Sequence, residues 1–255
     1  VSGATLASVV PPDDYWPAVA EVCRHHGVLL ILDEVMTGFG RTGRWFAADH
    51  WGIRPDMITA GKGVSSGYWP LGLCIASGDV FDAVTDTFSH GFTWSHHPIG
   101  AAVGDAVLTI IERERLVERA AVAGERLRAE LVGLLGDHPH VGDIRGIGMM
   151  TGIELVADRA TKRPFERSAR VTERLVAAAF DLGMTVYPCT SAVDGATGDA
   201  LLLGPPLSTA DDDITKRSSM PRAAASGWRS IARRWKSRPI ATGAGFASNA
   251  RLSRR

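Results

Sequence analysis

The stretch "VLLILDEV", residues 28–35, constrains the fold of this chain more than any other. Five apolar residues stand in a row, directly after the segment "PPDDYWPAVAEVCRHHG". A short apolar run with no polar alternation reads as a strand covered on both faces, as in a parallel sheet. The preceding segment reads as a helix, with prolines near its start and Gly27 at its stop. Trp16, Val19, Ala20 and Cys23 give that helix one apolar face. "RPDMITAG" and "LGLCIAS" are two further short apolar runs bounded by Gly, Pro or Asp, and they predict two more strands. Helix, strand, loop and strand in this order predict an α/β layered domain.

From "HPIGAAVGDAVLTIIERERLVERAAVAGERLRAELVGLLG" the character changes to a long helical stretch, with a break expected near Arg115–Leu116. "VGDIRGIGMMTGIELV" then predicts strands around glycines, "SARVTERLVAAAFDLG" a helix, and "MTVYP" and "DALLLGPPL" two strands. The expected organisation is a larger unit over residues 1–110 and a smaller α/β unit over residues 111–215. "STADDDIT" has the cap and first-turn acids of a helix start. The C-terminal residues 216–255 hold 11 Lys and Arg and no acid, with no long apolar period. This tail reads either as a disordered basic segment that binds something acidic or as sequence foreign to the fold. The second reading is preferred, because a strong start signal is left without its helix.

That basic tail is offset elsewhere, since the whole chain carries 28 basic and 28 acidic residues. Neutrality gives no general reason to expect nucleic acid or an anionic membrane as partner. No apolar stretch approaches the ~20 residues that span a bilayer, and "VSGATLASVVPPDDYW" has neither the basic leader nor the apolar core of a signal peptide. The three cysteines, Cys23, Cys74 and Cys189, match neither a disulfide framework nor a metal-ligand spacing. They read as buried, reduced thiols, which fits a cytoplasmic location.

Two residues carry candidate chemistry. Asp33 ends its strand, and the carboxyl end of a parallel strand is where α/β folds place ligands; a capping carboxylate is the alternative. Lys62 follows the "DMIT" strand, 29 residues after Asp33 and between Gly61 and Gly63. An apolar pocket would favour its neutral amine, making it a usable nucleophile for Schiff-base chemistry. The flanking glycines would let the backbone pass close to a bound cofactor. A lysine reaching into solvent is the alternative. The loop "VMTGFGRTGRW", with Arg41 and Arg44, is a weak anion-binding signal, and a flexible turn accounts for it better. The pairs His25–His26 and His96–His97 have no acids at metal-ligand spacing.

Taken together, "LLILDEVMTGFGRTG", "PDMITAGKGVSSGYWPLG", "GFTWSHHPIGAAVGDAVLTIIERE", "IRGIGMMTGIEL" and "LLLGPPLST" resemble the class III (ω-)aminotransferases, over roughly residues 1–215. The resemblance implies the pyridoxal-phosphate-dependent transferase fold of type I: here part of the large α/β/α domain plus the small C-terminal α/β domain. It implies pyridoxal 5'-phosphate as cofactor and a homodimer. It also implies ping-pong transfer of an amino group from an amine or amino acid to a keto acid or aldehyde. Carried over by residue, Lys62 is the Schiff-base lysine and proton shuttle, and Asp33 pairs with the pyridinium nitrogen. Val35 packs on the ring, and Thr93 binds the cofactor phosphate, typically of the neighbouring subunit. Arg145 is similar to an arginine that receives a substrate carboxylate, for which a guanidinium fork is suited. An aminomutase or decarboxylase of the same fold, or a non-catalytic pseudo-enzyme, are the rival readings.

The sequence also departs from the family pattern. His96 stands where the family has glycine, at a site where a positive φ is expected. No arginine occurs from Ser191 to Leu207, where some members carry a mobile one. No counterpart of the family's "GSEA"-like phosphate loop or "YHG"-like segment is found in residues 1–27. The chain therefore reads as the C-terminal part of a longer enzyme, with little or no activity expected of it alone.

Overall fold

The computed structural model describes residues 2–211 and 214. The expectations for the tail, residues 216–255, lie outside the described residues. Helix α1 (Tyr15–His26) ends where the sequence predicts. Gly27 adopts the left-handed conformation (φ 63°). Its N–H bonds the Arg24 carbonyl (3.3 Å), and the Val28 N–H bonds that of Cys23 (2.9 Å). These two bonds satisfy carbonyls that the helix end leaves orphaned.

Strands β1 (Ile31–Asp33), β2 (Met57–Ala60) and β3 (Leu73–Ala76) form one sheet in that order. β1 and β2 are parallel, with Asp33 opposite Thr59, and β3 runs antiparallel to β2. Trp16, Val19, Ala20 and Cys23 of α1 pack on Leu30, Leu32 and Ala48. Among the described residues, only that face of β1 is covered. Val28, Leu29 and Ile31 are each more than half exposed, which corrects the expectation of a strand buried on both sides. Alternate residues of a strand point to opposite faces, and α1 with the 3₁₀ turn Ala47–His50 reaches only the Leu30 and Leu32 side.

After the short helix α2 (Gly78–Asp82), α3 (Pro98–Arg113) and α4 (Leu116–Leu135) follow. The break falls where the sequence predicts, at Glu114 and a left-handed Arg115 (φ 51°). α3 supplies Val107 and Ile111 to a core with Phe39, Ala60, Val64 and Leu116. No helix among the described residues is long and apolar enough to cross a membrane.

The second sheet is antiparallel, in the order β4 (Val141–Ile147), β5 (Met150–Leu155), β7 (Asp199–Leu203), β6 (Tyr187–Thr190). β6 begins three residues later than "MTVYP" implied. α4 and α5 (Val171–Asp181) cover one face: Leu127, Leu131 and Leu135 meet Ile153, Leu155, Leu201 and Leu203. Residues Ala4 and Ala7 cover the other, against Met150, Cys189, Ala200 and Leu202. β7 is buried along its whole length, so it is "ALLL", not "VLLIL", that sits between two covered faces. The left-handed Arg170 at the start of α5 provides no side-chain cap. Asp199 takes that place from β7, accepting the Thr172 N–H (3.0 Å) and hydroxyl (2.7 Å).

The loop "GFGRTG" joins the two halves and is not a flexible turn. Phe39 and Thr42 are buried. The Arg41 carbonyl accepts the Met149 N–H (2.9 Å), and the Arg41 guanidinium donates to the carbonyls of Met149 (3.3 Å) and Pro205 (2.6 Å). Burial holds the Arg41 pKa below its usual value. These bonds occupy Arg41 with backbone carbonyls instead of the anion suggested by its glycine-rich setting.

Candidate active site

The parallel pairing of β1 with β2 sets the site. Asp33 ends β1, and Lys62 begins a 3₁₀ turn (Lys62–Val64) two residues after β2 ends. Both therefore emerge at the same sheet edge. Asp33 Oδ1 accepts the N–H of Val35 (2.9 Å), an Asx-type bond that turns the chain just past the strand. The Lys62 amine meets the sulfur of Met36, and a Cβ built on Gly61 would lie 3.9 Å from Val35 Cγ1. The structure thus places Asp33 beside Val35 and Lys62 beside Met36 at the same end of the β1–β2 pair.

Lys62 itself has φ 42°. A non-glycine residue in the left-handed region costs about 1–2 kcal/mol, and such residues cluster where geometry serves function. The turn secures it: the Lys62 carbonyl accepts the N–H groups of Ser65 (3.2 Å) and Ser66 (3.1 Å). One expectation is corrected here. Lys62 is exposed, not sunk in an apolar pocket. The flanking glycines make room for the chain itself. A Cβ on Gly63 would lie 3.1 Å from Phe39 Cβ, and one on Gly61 would lie 3.3 Å from the Leu71 carbonyl oxygen.

The other two expected residues are placed elsewhere. Thr93 lies in an exposed turn ahead of α3, where the Phe92 carbonyl accepts the Ser95 N–H (2.9 Å). Arg145 lies on β4, opposite Gly152 of β5. Its guanidinium pairs with Asp143 (3.2 Å) and with Glu154, and donates to the Leu6 carbonyl (3.2 Å). The cleft it lines includes neither Lys62 nor Asp33. In this chain one terminal nitrogen meets both carboxylates and the other the Leu6 carbonyl, while Nε has no hydrogen-bond partner among the described residues. The shared nitrogen follows from register: Asp143 and Glu154 stand opposite each other across the same strand pair.

The sequence reading missed Glu34 and Met36. Glu34 is fully buried and hydrogen-bonded to the Thr37 hydroxyl and to two backbone amides. Strand alternation contained the signal for Glu34. If Asp33 faces the site, its neighbour must face the interior.

The family model described as "Aminotransferase class-III" matches residues 6–221. The chain belongs to the class III aminotransferases. It is 41% identical over 220 residues to the "Uncharacterized aminotransferase y4uB" of Sinorhizobium fredii, a match that covers 84% of this chain and 46% of that protein. It is 39% identical over 212 residues to the diaminobutyrate–2-oxoglutarate transaminase of Halomonas elongata, covering 81% of this chain and 44% of that one. Among solved structures, an amine transaminase from an uncultivated Pseudomonas species, in its PLP-bound form, superposes with a TM-score of 0.76. That match is 35% identical and covers 89% of this chain and 49% of the other. The chain spans about half the length of the curated relatives it matches.

Class III aminotransferases are pyridoxal-phosphate-dependent, and the fold of this chain is that of fold type I. The residues at the sheet edge fit such a group chemically. An amine can bond an aldehyde, a carboxylate can pair with a protonated ring nitrogen, and Val35 offers an apolar surface to a flat ring.

Proposed function

We propose that this chain carries the lysine and aspartate half of a transaminase site. The transaminase moves an amino group between an amine or amino acid donor and a keto acid or aldehyde acceptor. One observation carries the reading: parallel β1 and β2 deliver Asp33 and Lys62 to the same end of the sheet, Asp33 beside Val35 and Lys62 beside Met36. Bound there, pyridoxal phosphate supplies an electron sink for the carbanion that proton loss leaves on the substrate. Lys62 would hold the cofactor through its amine, and that amine, when free, would be the base and acid that moves the substrate proton. Asp33 would accept a hydrogen bond from the ring nitrogen. Val35 packs on the ring face. Thr93, exposed on its turn, serves the phosphate of a neighbouring subunit, so the working form is a homodimer. A cytoplasmic location goes with this reading.

The test is reductive trapping. Protein treated with pyridoxal phosphate and borohydride should carry the label on the Lys62 peptide, and Lys62→Ala should abolish it. A label confined to Lys162 would sink the assignment. Transamination leaves the aminated cofactor after one half-reaction with a donor, whereas carbon dioxide release instead would mark a decarboxylase.

A further inference from the structure

We propose that Glu34, not itself in contact with substrate, is the positioning residue that sets Asp33 and Val35. The inference rests on the transaminase reading for its meaning, but its geometry stands alone. Glu34 is fully buried, and no ion pair involves it among the described residues. A carboxylate in that setting is tolerated only when donors surround it. Glu34 has three: one oxygen accepts the Thr37 hydroxyl and the Ala47 N–H (3.0 Å), the other accepts the Ala48 N–H (2.8 Å).

Those donors close a loop. Ala47 and Ala48 open the 3₁₀ turn Ala47–His50, whose first amides have no partner within the turn. Phe46 precedes the turn and has no side-chain acceptor to cap it. Asp49 accepts the Phe46 N–H (3.2 Å), and Glu34 accepts the next two from 13 and 14 residues away. Meanwhile the main chain of Glu34 is fixed on both sides. Its N–H bonds the Thr59 carbonyl (2.8 Å), which extends the β1–β2 pairing toward Lys62, and its carbonyl accepts the Gly38 N–H (2.8 Å). Glu34 therefore lies between Asp33 and Val35 with backbone and side chain both held. The bond from the Val35 N–H to Asp33 Oδ1 spans it. If the carboxylate loses a donor, the loop from 34 to 48 loosens from beneath, and the Asp33–Val35 bond loosens with it.

The experiment compares wild type, Glu34→Gln and Ala47→Pro by amide hydrogen exchange without cofactor. The amides followed are Val35, Ala48 and, as a global reference in β5, Ile153. Glu34→Gln turns one carboxylate oxygen into a donor facing a backbone N–H. Ala47→Pro removes one donor and leaves the carboxylate. Proline is accommodated at the first residue of a helical turn, and the extended Phe46 before it suits proline. Loss of a hydrogen bond to a charged group predicts exchange at Val35 faster by roughly 10- to 100-fold in both variants, with Ile153 nearly unchanged. Faster exchange at Ala48 alone, with Val35 unaffected, would overturn the proposal and leave Glu34 a cap for the turn. Equal acceleration at all three amides would overturn it too, as plain global destabilisation.

A second readout tests the link to the cofactor. With ¹⁵N-labelled pyridoxal phosphate trapped on Lys62, the ring-nitrogen shift should report a protonated ring in wild type and a partly deprotonated one in Glu34→Gln. An unchanged shift refutes positioning of Asp33. Failure of wild type to take up the cofactor would count against the transaminase reading and leave the exchange result standing.

Discussion

Helix α4 contains two glycines that should respond to alanine with opposite signs. Gly133 faces open space, with no heavy atom within 4 Å of an added Cβ. Replacing it removes the backbone entropy cost of glycine in a helix, which is worth about 0.8–1 kcal/mol, so Gly133→Ala should raise Tm by about 2–4 °C. Gly124 gains the same propensity, but its Cβ would lie 1.8 Å from the Gly148 carbonyl oxygen. An ordinary C···O contact is about 3.3 Å or more, so α4 and the turn between β4 and β5 must part by roughly 1.5 Å. That turn is held by Arg128 donating to the Gly148 carbonyl (2.9 Å) and by the Met149 N–H on the Arg41 carbonyl (2.9 Å). Overpacking costs about 1–3 kcal/mol. Losing the charged bond adds about 1.5–3 kcal/mol and the neutral one about 1 kcal/mol. With partial relaxation and the propensity gain subtracted, Gly124→Ala should destabilise by about 2–4 kcal/mol. Urea denaturation of both variants, with unchanged m-values, measures the difference. Equal stabilisation by the two substitutions would show that α4 does not touch the β4–β5 turn, and the close packing of Gly124 on Gly148 would be refuted.

Other outcomes rest on single residues. His96 has φ 55°, so His96→Gly should stabilise by up to about 1 kcal/mol in the same assay, since relief of left-handed strain outweighs glycine's extra unfolded-state entropy. Cys74 is exposed and Cys189 buried, and burial also raises the Cys189 pKa. Iodoacetamide should therefore label Cys74 first and reach Cys189 only on unfolding, as peptide mass spectrometry would show. His50 has its pKa lowered, chiefly by desolvation, against a raising contribution from its bond to Thr42. The folded state then binds fewer protons than the unfolded one. Stability should be retained above the ordinary histidine pKa of about 6.5 and fall as pH drops below it. His50→Gln should flatten that part of the pH–stability curve.

Much of the architecture was legible locally. The span of α1 with its Gly27 stop, the break at Arg115 and the order of the strands each depend on signals within a few residues. His96 is a further case: a histidine at a glycine position predicted a positive φ, and φ is positive. That Asp33 and Lys62 follow the ends of neighbouring strands was legible for a similar reason, since two strand ends placed side by side need only a parallel sheet. Where the sequence misled was on exposure and partners. "VLLIL" and "ALLL" look equally apolar, yet only β7 has both faces covered. Cys74 has the most apolar local setting of the three cysteines, "LGLCIAS", yet its thiol is the exposed one. Arg145 pairs with Asp143, two residues back on its own strand, and with Glu154 of the neighbouring strand, partners that its own position did not announce.

The chain by itself determined its elements, their order and the residue types at the sheet edge. These come from periodicity, stop signals and backbone sterics, all of which act over one or two turns. Only the tertiary structure decided who satisfies whom. Glu34 caps a turn 13 residues on, and Asp199 caps a helix at Thr172, 27 residues earlier. Arg41 binds a carbonyl 164 residues away. A buried polar group must find its partner wherever the packed chain brings one, and that location is a property of the assembled core, which no local stretch of sequence contains.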